Sequence, residues 1–153
     1  MNKQIRILVV DDEPKLCHLI EELLKLEGYR VDVSISNMEA LQMIKENKYQ
    51  MLITDLKMPG IDGLELIQKA RELNPEIRTI IITGSETVET AVQSLKHEID
   101  DDIKKPFSIV ELKKVVKRTL YIHQVAMENA QLLKDLKKAN RKIARLQKKE
   151  LSN

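Results

Sequence analysis

The chain has 153 residues, 42% of them apolar and 33% charged, a balance that predicts one globular domain with at most an appendage. Charge is unevenly distributed, since residues 120–153 hold eight Lys/Arg and three Asp/Glu, a net of +5, and residues 1–119 carry a net of −3. A single cysteine, Cys17, excludes an internal disulfide and a cysteine-built metal site, and without an apolar run of about 18 residues or a signal-peptide pattern we expect a cytoplasmic protein with no membrane partner.

Short apolar runs alternate along the chain with amphipathic helical patterns. In chain order we predict a strand at residues 5–10, a helix at 14–26, a strand at 31–35, a helix capped by Asn37, a strand at 51–54, a helix at 64–73, a strand at 78–82 and a helix at 87–96. Ser108 and Glu111 then form a capping box, which predicts the start of a last helix.

A fifth strand is expected at residues 100–103 from its position and from the lengths of the connections. Its sequence, Asp100-Asp101-Asp102-Ile103, argues against it, because a strand buried on both faces should be apolar. We therefore predict a short strand at the edge of the sheet. Five strand–helix units predict a parallel sheet that is covered by helices on both faces.

The tail, residues 120–153, has a row of positions spaced alternately by three and four residues, apolar at all but one, and this spacing predicts a coiled coil. We call this row the seam; it consists of Ile122, Val125, Asn129, Leu132, Leu136, Ala139, Ile143 and Leu146. Asn129 falls on an a-type position, where a buried polar residue can set register and strand number. A single amphipathic helix packed on its own domain is the alternative. The narrow stripe favours self-association, so we predict a homodimer.

The tail's Lys and Arg residues could instead contact nucleic acid. The tail has no recognised DNA-binding fold, and a solvated flank of a coiled coil explains its charge equally well. We therefore expect no direct nucleic-acid binding.

Polar side chains follow four of the predicted strands at the point where each strand ends. These residues are Asp11, Asp12, Asp55, Thr83 and Lys105. In a doubly wound sheet the ligand crevice lies beyond the carboxyl ends of the strands, so we expect these side chains to converge. Three close carboxylates repel one another unless a cation compensates, and a set of oxygen ligands suits Mg2+. The pattern indicates a carboxylate nucleophile that faces a phosphoryl group.

Four segments resemble the response-regulator receiver domain of two-component signalling: VVDDE at residues 9–13, TDLKMPG at 54–60, ITG at 82–84 and KPF at 105–107. The resemblance covers about residues 4–119. It implies a flavodoxin-like α/β fold, a doubly wound five-stranded parallel sheet in the order 2-1-3-4-5, followed by an extended C-terminal helix. We divide the chain into a receiver domain, residues 1–119, and a coiled-coil extension, residues 120–153, similar to the linker of sigma-54 activator-type regulators.

The resemblance also implies individual roles. Asp55 is the phospho-acceptor, Thr83 the switch hydroxyl, and Lys105 the lysine that contacts the phosphate, before a cis Pro106. The implied cofactor, Mg2+, is held by Asp11, Asp12, Asp55 and the backbone carbonyl of Lys57. The implied partner is a sensor histidine kinase, and the chain is a signalling phospho-acceptor, not an enzyme. Its state passes by conformational change or dimerisation to a partner or to an output domain that we expect to be absent from this chain.

The fifth strand departs from the family pattern. Glu98-Ile99 stands where the family has Gly-Ala, and Asp102 stands where the family has a switch aromatic residue. Three hypotheses follow: a working receiver, a receiver whose readout is altered or uncoupled, and a hydrolase with an aspartyl-phosphate intermediate. The hydrolase ranks last, because its usual Asp-x-Asp nucleophile motif is not matched by Asp11-Asp12.

Overall fold

The computed structural model describes residues 5–56, 62–84 and 99–152. In chain order the elements are β1 (Arg6–Val10), α1 (Pro14–Leu26), β2 (Arg30–Ser34), α2 (Asn37–Glu46), β3 (Met51–Asp55), α3 (Gly63–Leu73), β4 (Arg78–Thr83), β5 (Asp101–Lys104) and α4 (Ile109–Ser152). The predicted helix at residues 87–96 lies outside the described residues. The chain forms two compact units, residues 1–120 and 121–153.

The five strands form one parallel sheet in the order β2-β1-β3-β4-β5. This arrangement confirms the predicted fold class and strand order. β5 lies at the edge, as its acidic sequence predicts, and it begins at Asp101, one residue later than expected.

Two apolar layers cover the sheet, because alternate residues of each buried strand point to opposite faces. Ile7 and Val9 of β1 pack with α1 and with the first turns of α4, whereas Leu8 and Val10 pack with α2 and α3. The helix residues that fill the first layer include Cys17, Ile20, Leu24, Leu112 and Val116, and those of the second include Ala40, Ile44, Leu66, Ile67 and Ala70. The three central strands β1, β3 and β4 are therefore buried on both sides, and the carboxyl ends of all five strands share one edge.

Hydrogen bonds at the helix starts agree with one predicted cap and correct another. The Ser108 hydroxyl accepts a hydrogen bond from the Glu111 backbone N–H at 3.1 Å, as the capping box predicts. The predicted cap at Asn37 is wrong. Ser36 has the extended backbone that an N-cap needs, and its hydroxyl accepts from the Glu39 N–H at 3.4 Å, so Asn37 becomes the buried first residue of α2.

The second unit consists of the part of α4 from Tyr121 to Ser152, which is an uninterrupted helix. Its isoleucine and leucine seam residues are exposed, for example Leu132 at 64% and Leu136 at 56%, whereas Val125 is half-buried. The homodimer through the seam stays a prediction. Within the described ranges, no helix is both long and apolar enough to cross a membrane.

Candidate functional site

The structure brings three predicted carboxylates together at the carboxyl edge of the sheet. Asp11 and Asp12 follow β1, and Asp55 is the last residue of β3. One carboxylate oxygen from each of the three lies within 4.8 Å of the others. Asp11 and Asp55 are buried and Asp12 is exposed, so the group opens to solvent on one side.

Lys105 follows β5 and reaches this group of carboxylates. Its Nζ lies 2.9 Å from Asp55 Oδ2 and 3.3 Å from Asp11 Oδ2. Burial disfavours the charged ammonium, but the hydrogen bond to Asp55 and the negative charges of both carboxylates outweigh it and raise the pKa of Lys105. The lysine is therefore a fixed cation at the site. The Lys105-Pro106 peptide bond is cis, as the resemblance implies.

Asp11 holds the most buried carboxylate of the group. Burial raises its pKa, and the Glu13 N–H, which donates to Oδ1 at 2.9 Å, and the Lys105 charge oppose this rise. Asp11 Oδ2 is within ion-pair distance of Lys105, but it has no aligned hydrogen-bond donor among residues 5–56, 62–84 and 99–152. A bound cation would stabilise a buried carboxylate oxygen that lacks an aligned hydrogen-bond donor.

The donor set fits Mg2+, because all three side chains offer carboxylate oxygens and one of them is exposed. The fourth predicted ligand, the backbone carbonyl of Lys57, lies outside the described residues. The group of Asp11, Asp12 and Asp55 could therefore hold a hard divalent cation beside Lys105.

Gly63, at the start of α3, positions the backbone of Asp55, a feature that sequence reasoning missed. The Gly63 N–H donates to the Leu56 carbonyl at 3.2 Å, and the Leu56 N–H donates to the Ile82 carbonyl of β4 at the same distance. A Cβ on Gly63 would collide with the Asp55 carbonyl oxygen and lie 2.9 Å from Leu56 Cα. The available signal was a glycine directly after Asp62, the N-cap of α3.

Thr83 ends β4 one residue beyond Ile82, which pairs with Asp55 in the sheet. Its side chain is buried, and its carbonyl accepts from the Lys105 N–H at 2.7 Å. Thr83 therefore fixes the backbone from which Lys105 extends. Its predicted role as a switch hydroxyl stays a prediction.

The three acids before Ile103 have different surroundings, which sequence reasoning missed. Asp100 precedes β5, accepts from the buried Thr79 N–H at 2.7 Å and pairs with Arg71 at 3.1 Å. Asp101 forms an ion pair with an arginine of α4, Arg118. Asp102 is exposed, and within the described part of the chain no hydrogen bond or ion pair of its side chain is found. No sequence pattern indicates these two pairs, because Arg71 lies 29 residues from Asp100 and Arg118 lies 17 residues from Asp101.

Comparisons with known proteins agree with this geometry. The family model of the response regulator receiver domain matches residues 7–117. A CheY-like receiver domain from Methanospirillum hungatei JF-1 has a similar structure, with a TM-score of 0.74 and 31% identity over 80% of this chain and 98% of that one. TrrA from Thermotoga maritima, in complex with Mg2+ and BeF, has a TM-score of 0.68 and 34% identity over 76% of this chain and 99% of that one.

Among curated proteins, the transcriptional regulatory protein ZraR of Klebsiella oxytoca is 32% identical over 118 residues, which are 77% of this chain and 27% of ZraR. The chain thus spans about a quarter of the length of such relatives. The similarity concerns one domain of these longer proteins.

Proposed function

Because the chain belongs to the response regulator receiver family, we propose that it accepts a phosphoryl group on Asp55 from a sensor histidine kinase. The observation that carries the proposal is the position of the Asp55 carboxylate, 2.9 Å from Lys105 Nζ and within 4.8 Å of two further carboxylates. No separate function is needed to explain this concentration of charge.

In the proposed reaction, a carboxylate oxygen of Asp55 attacks the phosphorus of a phosphohistidine. The P–N bond breaks, the imidazole leaves with the bonding electron pair, and an acyl phosphate forms on Asp55. Lys105 stabilises the negative charge on the phosphoryl oxygens, because its ammonium already lies at hydrogen-bond distance from the acceptor. The Thr83 hydroxyl is the proposed donor to another phosphoryl oxygen.

We propose Mg2+ as the cofactor, held by Asp11, Asp12, Asp55 and the Lys57 carbonyl. When bound, the ion would neutralise charge on the carboxylates and on the incoming phosphoryl group. The buried Asp11 Oδ2 supports this assignment, since it lacks an aligned donor in the described part of the chain. The similar TrrA structure contains Mg2+ and BeF, which supports the same chemistry here.

We propose that the state of Asp55 is passed on by a homodimer that forms through the seam. The exposed apolar residues of the seam, such as Leu132 and Leu136, support self-association. We place the output in a partner or in a domain beyond residues 1–153, because ZraR-type relatives are regulators several times longer than this chain.

A receiver with altered readout is the second candidate function. Asp102 supports it, because an exposed carboxylate stands at the position of the family's switch aromatic residue. In this version Asp55 is phosphorylated normally, but the dimer and partner contacts do not respond.

Incubation with Mg2+ and acetyl phosphate tests the proposal. We expect one hydroxylamine-labile phosphoryl group per chain by intact mass, its loss in Asp55→Asn, and its retention in the control Asp62→Asn, whose carboxylate caps α3. Equal phosphorylation of Asp55→Asn contradicts the acceptor assignment. Sustained turnover of a phosphate ester would favour the hydrolase instead.

Sedimentation of the same samples tests the dimer. We expect Leu132→Lys combined with Leu136→Lys to give a monomer, since charge in the seam opposes pairing. A dimer that is unchanged by phosphorylation favours the altered readout.

A further inference from the structure

Asn129 is the one polar position in the seam, and it lies on a helix whose seam residues are exposed in the described unit, residues 121–152, except for the half-buried Val125. Resting on the homodimer proposed above, we infer that Asn129 makes this dimer a parallel, in-register, two-stranded coiled coil. The a positions of the seam are Ile122, Asn129, Leu136 and Ile143, and its d positions are Val125, Leu132, Ala139 and Leu146. Isoleucine at a together with leucine at d favours two strands.

In a parallel, in-register pair, residues with the same number face each other. Asn129 then meets Asn129 of the second copy, and the two amides can hydrogen-bond to each other. In an antiparallel pair, a positions face d positions, and full overlap of the two helices places Asn129 against Leu146. Each copy would then bury an amide without a hydrogen-bond partner.

The charges beside the seam favour the opposite orientation. The g positions are Glu128, Asp135, Lys142 and Lys149, acidic in the first half and basic in the second. An antiparallel pair places Glu128 near Lys149 and Asp135 near Lys142, which gives four ion pairs in the dimer. A parallel pair places the g residues near uncharged e residues and gives none.

Magnitudes decide between these two effects. An unpaired buried amide lowers an association constant by about 5- to 150-fold, whereas an exposed ion pair raises it by about 1.5- to 5-fold and is screened by salt. Two unpaired amides together lower the constant by about 25- to 22,000-fold, and four exposed ion pairs raise it by about 5- to 600-fold before screening, so the amides have the larger effect at both ends of the ranges. Asn129 selects the parallel orientation against the charge pattern.

Disulfide cross-linking of the full chain tests this orientation, in a Cys17→Ala background. Val125→Cys places a thiol on the seam, and Glu150→Cys places one at the next a position after Ile143, about 38 Å further along the helix. A parallel dimer cross-links 125 to 125 and 150 to 150. After the two variants are mixed and allowed to exchange chains, we expect at least about ten times more of these like pairs than of the 125–150 product. A dominant 125–150 product overturns the inference.

Asn129→Leu tests the role of the amide, with Asn140→Leu at an e position as its matched control. Without the buried amide, the ion pairs between g positions favour the antiparallel orientation and nothing in the seam opposes them. We therefore expect the 125–150 product to become major in Asn129→Leu at an ionic strength of about 0.01 M and to fall severalfold at about 1 M. Asn140→Leu should keep the like pairs. An Asn129→Leu dimer that still forms only like pairs overturns the role of Asn129.

Sedimentation separates this inference from the proposal on which it rests. A monomeric full chain would contradict both the dimer and its orientation, while Asp55 phosphorylation could still be observed. A dimer with 125–150 cross-links would contradict the orientation alone.

Discussion

Replacement of Lys105 by methionine removes the cation that bridges two buried carboxylates and keeps a side chain of similar length. Lys105 Nζ lies 2.9 Å from Asp55 and 3.3 Å from Asp11, so one substitution leaves both acids facing each other uncompensated. We expect the variant to be clearly less stable in the absence of Mg2+. We also expect it to gain more stability from Mg2+ than the unmodified chain does.

The size of the loss follows from burial and distance. Breaking a buried ion pair costs about 3–5 kcal/mol, and two carboxylates that lie within 4.8 Å of each other repel by at least about 3.5 kcal/mol at an effective dielectric constant of about 20. A quarter of the Lys105 side chain is exposed, and water screens part of the charge. We therefore expect a loss of about 3 kcal/mol. Mg2+ at a concentration of about 100 times its Kd for the Lys105→Met variant would raise the free energy of unfolding of that variant by about 2.7 kcal/mol.

Urea denaturation of Lys105→Met, with EDTA and with Mg2+, measures these free energies of unfolding. The matched control is Lys104→Met at the neighbouring exposed lysine, for which we expect a change below about 0.5 kcal/mol. In a double-mutant cycle with Asp55→Asn, the cost of removing Lys105 should fall by about 1.5 kcal/mol or more. A loss at Lys105 no larger than at Lys104, or strict additivity in the cycle, refutes the reasoning.

Three further predictions concern the surroundings of the site. Gly63→Ala should lower both stability, by about 2 kcal/mol, and the rate of the proposed phosphorylation, since its Cβ collides with the Asp55 backbone. Gly84→Ala, whose Cβ would meet no atom of the described residues within 4 Å, should change neither. Burial raises the pKa of the Cys17 thiol to about 11, so a thiol reagent at neutral pH should label denatured chain at least about tenfold faster than native chain. Asp100→Ala should lower the free energy of unfolding in urea by about 2 kcal/mol, because it removes the ion pair with Arg71 and the hydrogen bond from the Thr79 N–H. Asp102→Ala should lower it by less than about 0.5 kcal/mol.

Convergence of the site residues could be predicted from the sequence because it depends on topology. The carboxyl ends of parallel strands share an edge, so residues directly after β1, β3 and β5 must lie near one another. Asp11, Asp55 and Lys105 stand there, and the strand order itself was predicted correctly.

Features that depend on long-range pairing or on local backbone geometry could not be predicted in the same way. Asp100 lies 29 residues from Arg71 in the chain, and no periodic pattern connects them. The N-cap of α2 depends on which of two adjacent polar residues has the extended backbone, and sequence preference alone does not separate Ser36 from Asn37. Close backbone packing at Gly63 is visible only once α3 is placed against β3.

The acidic run before Ile103 illustrates why composition alone misjudges such a strand. Asp100 lies outside β5 and is neutralised by arginine, and Asp101 is paired with Arg118, so two of the three charges stabilise the edge of the sheet. Of the three acids, only Asp102 has no ion pair or side-chain hydrogen bond within the described residues. Asp55, Asp11 and Lys105 contact one another without involving Asp102. We therefore expect Asp102→Ala to leave the proposed phosphorylation of Asp55 unchanged, even where the proposed readout at the dimer changes.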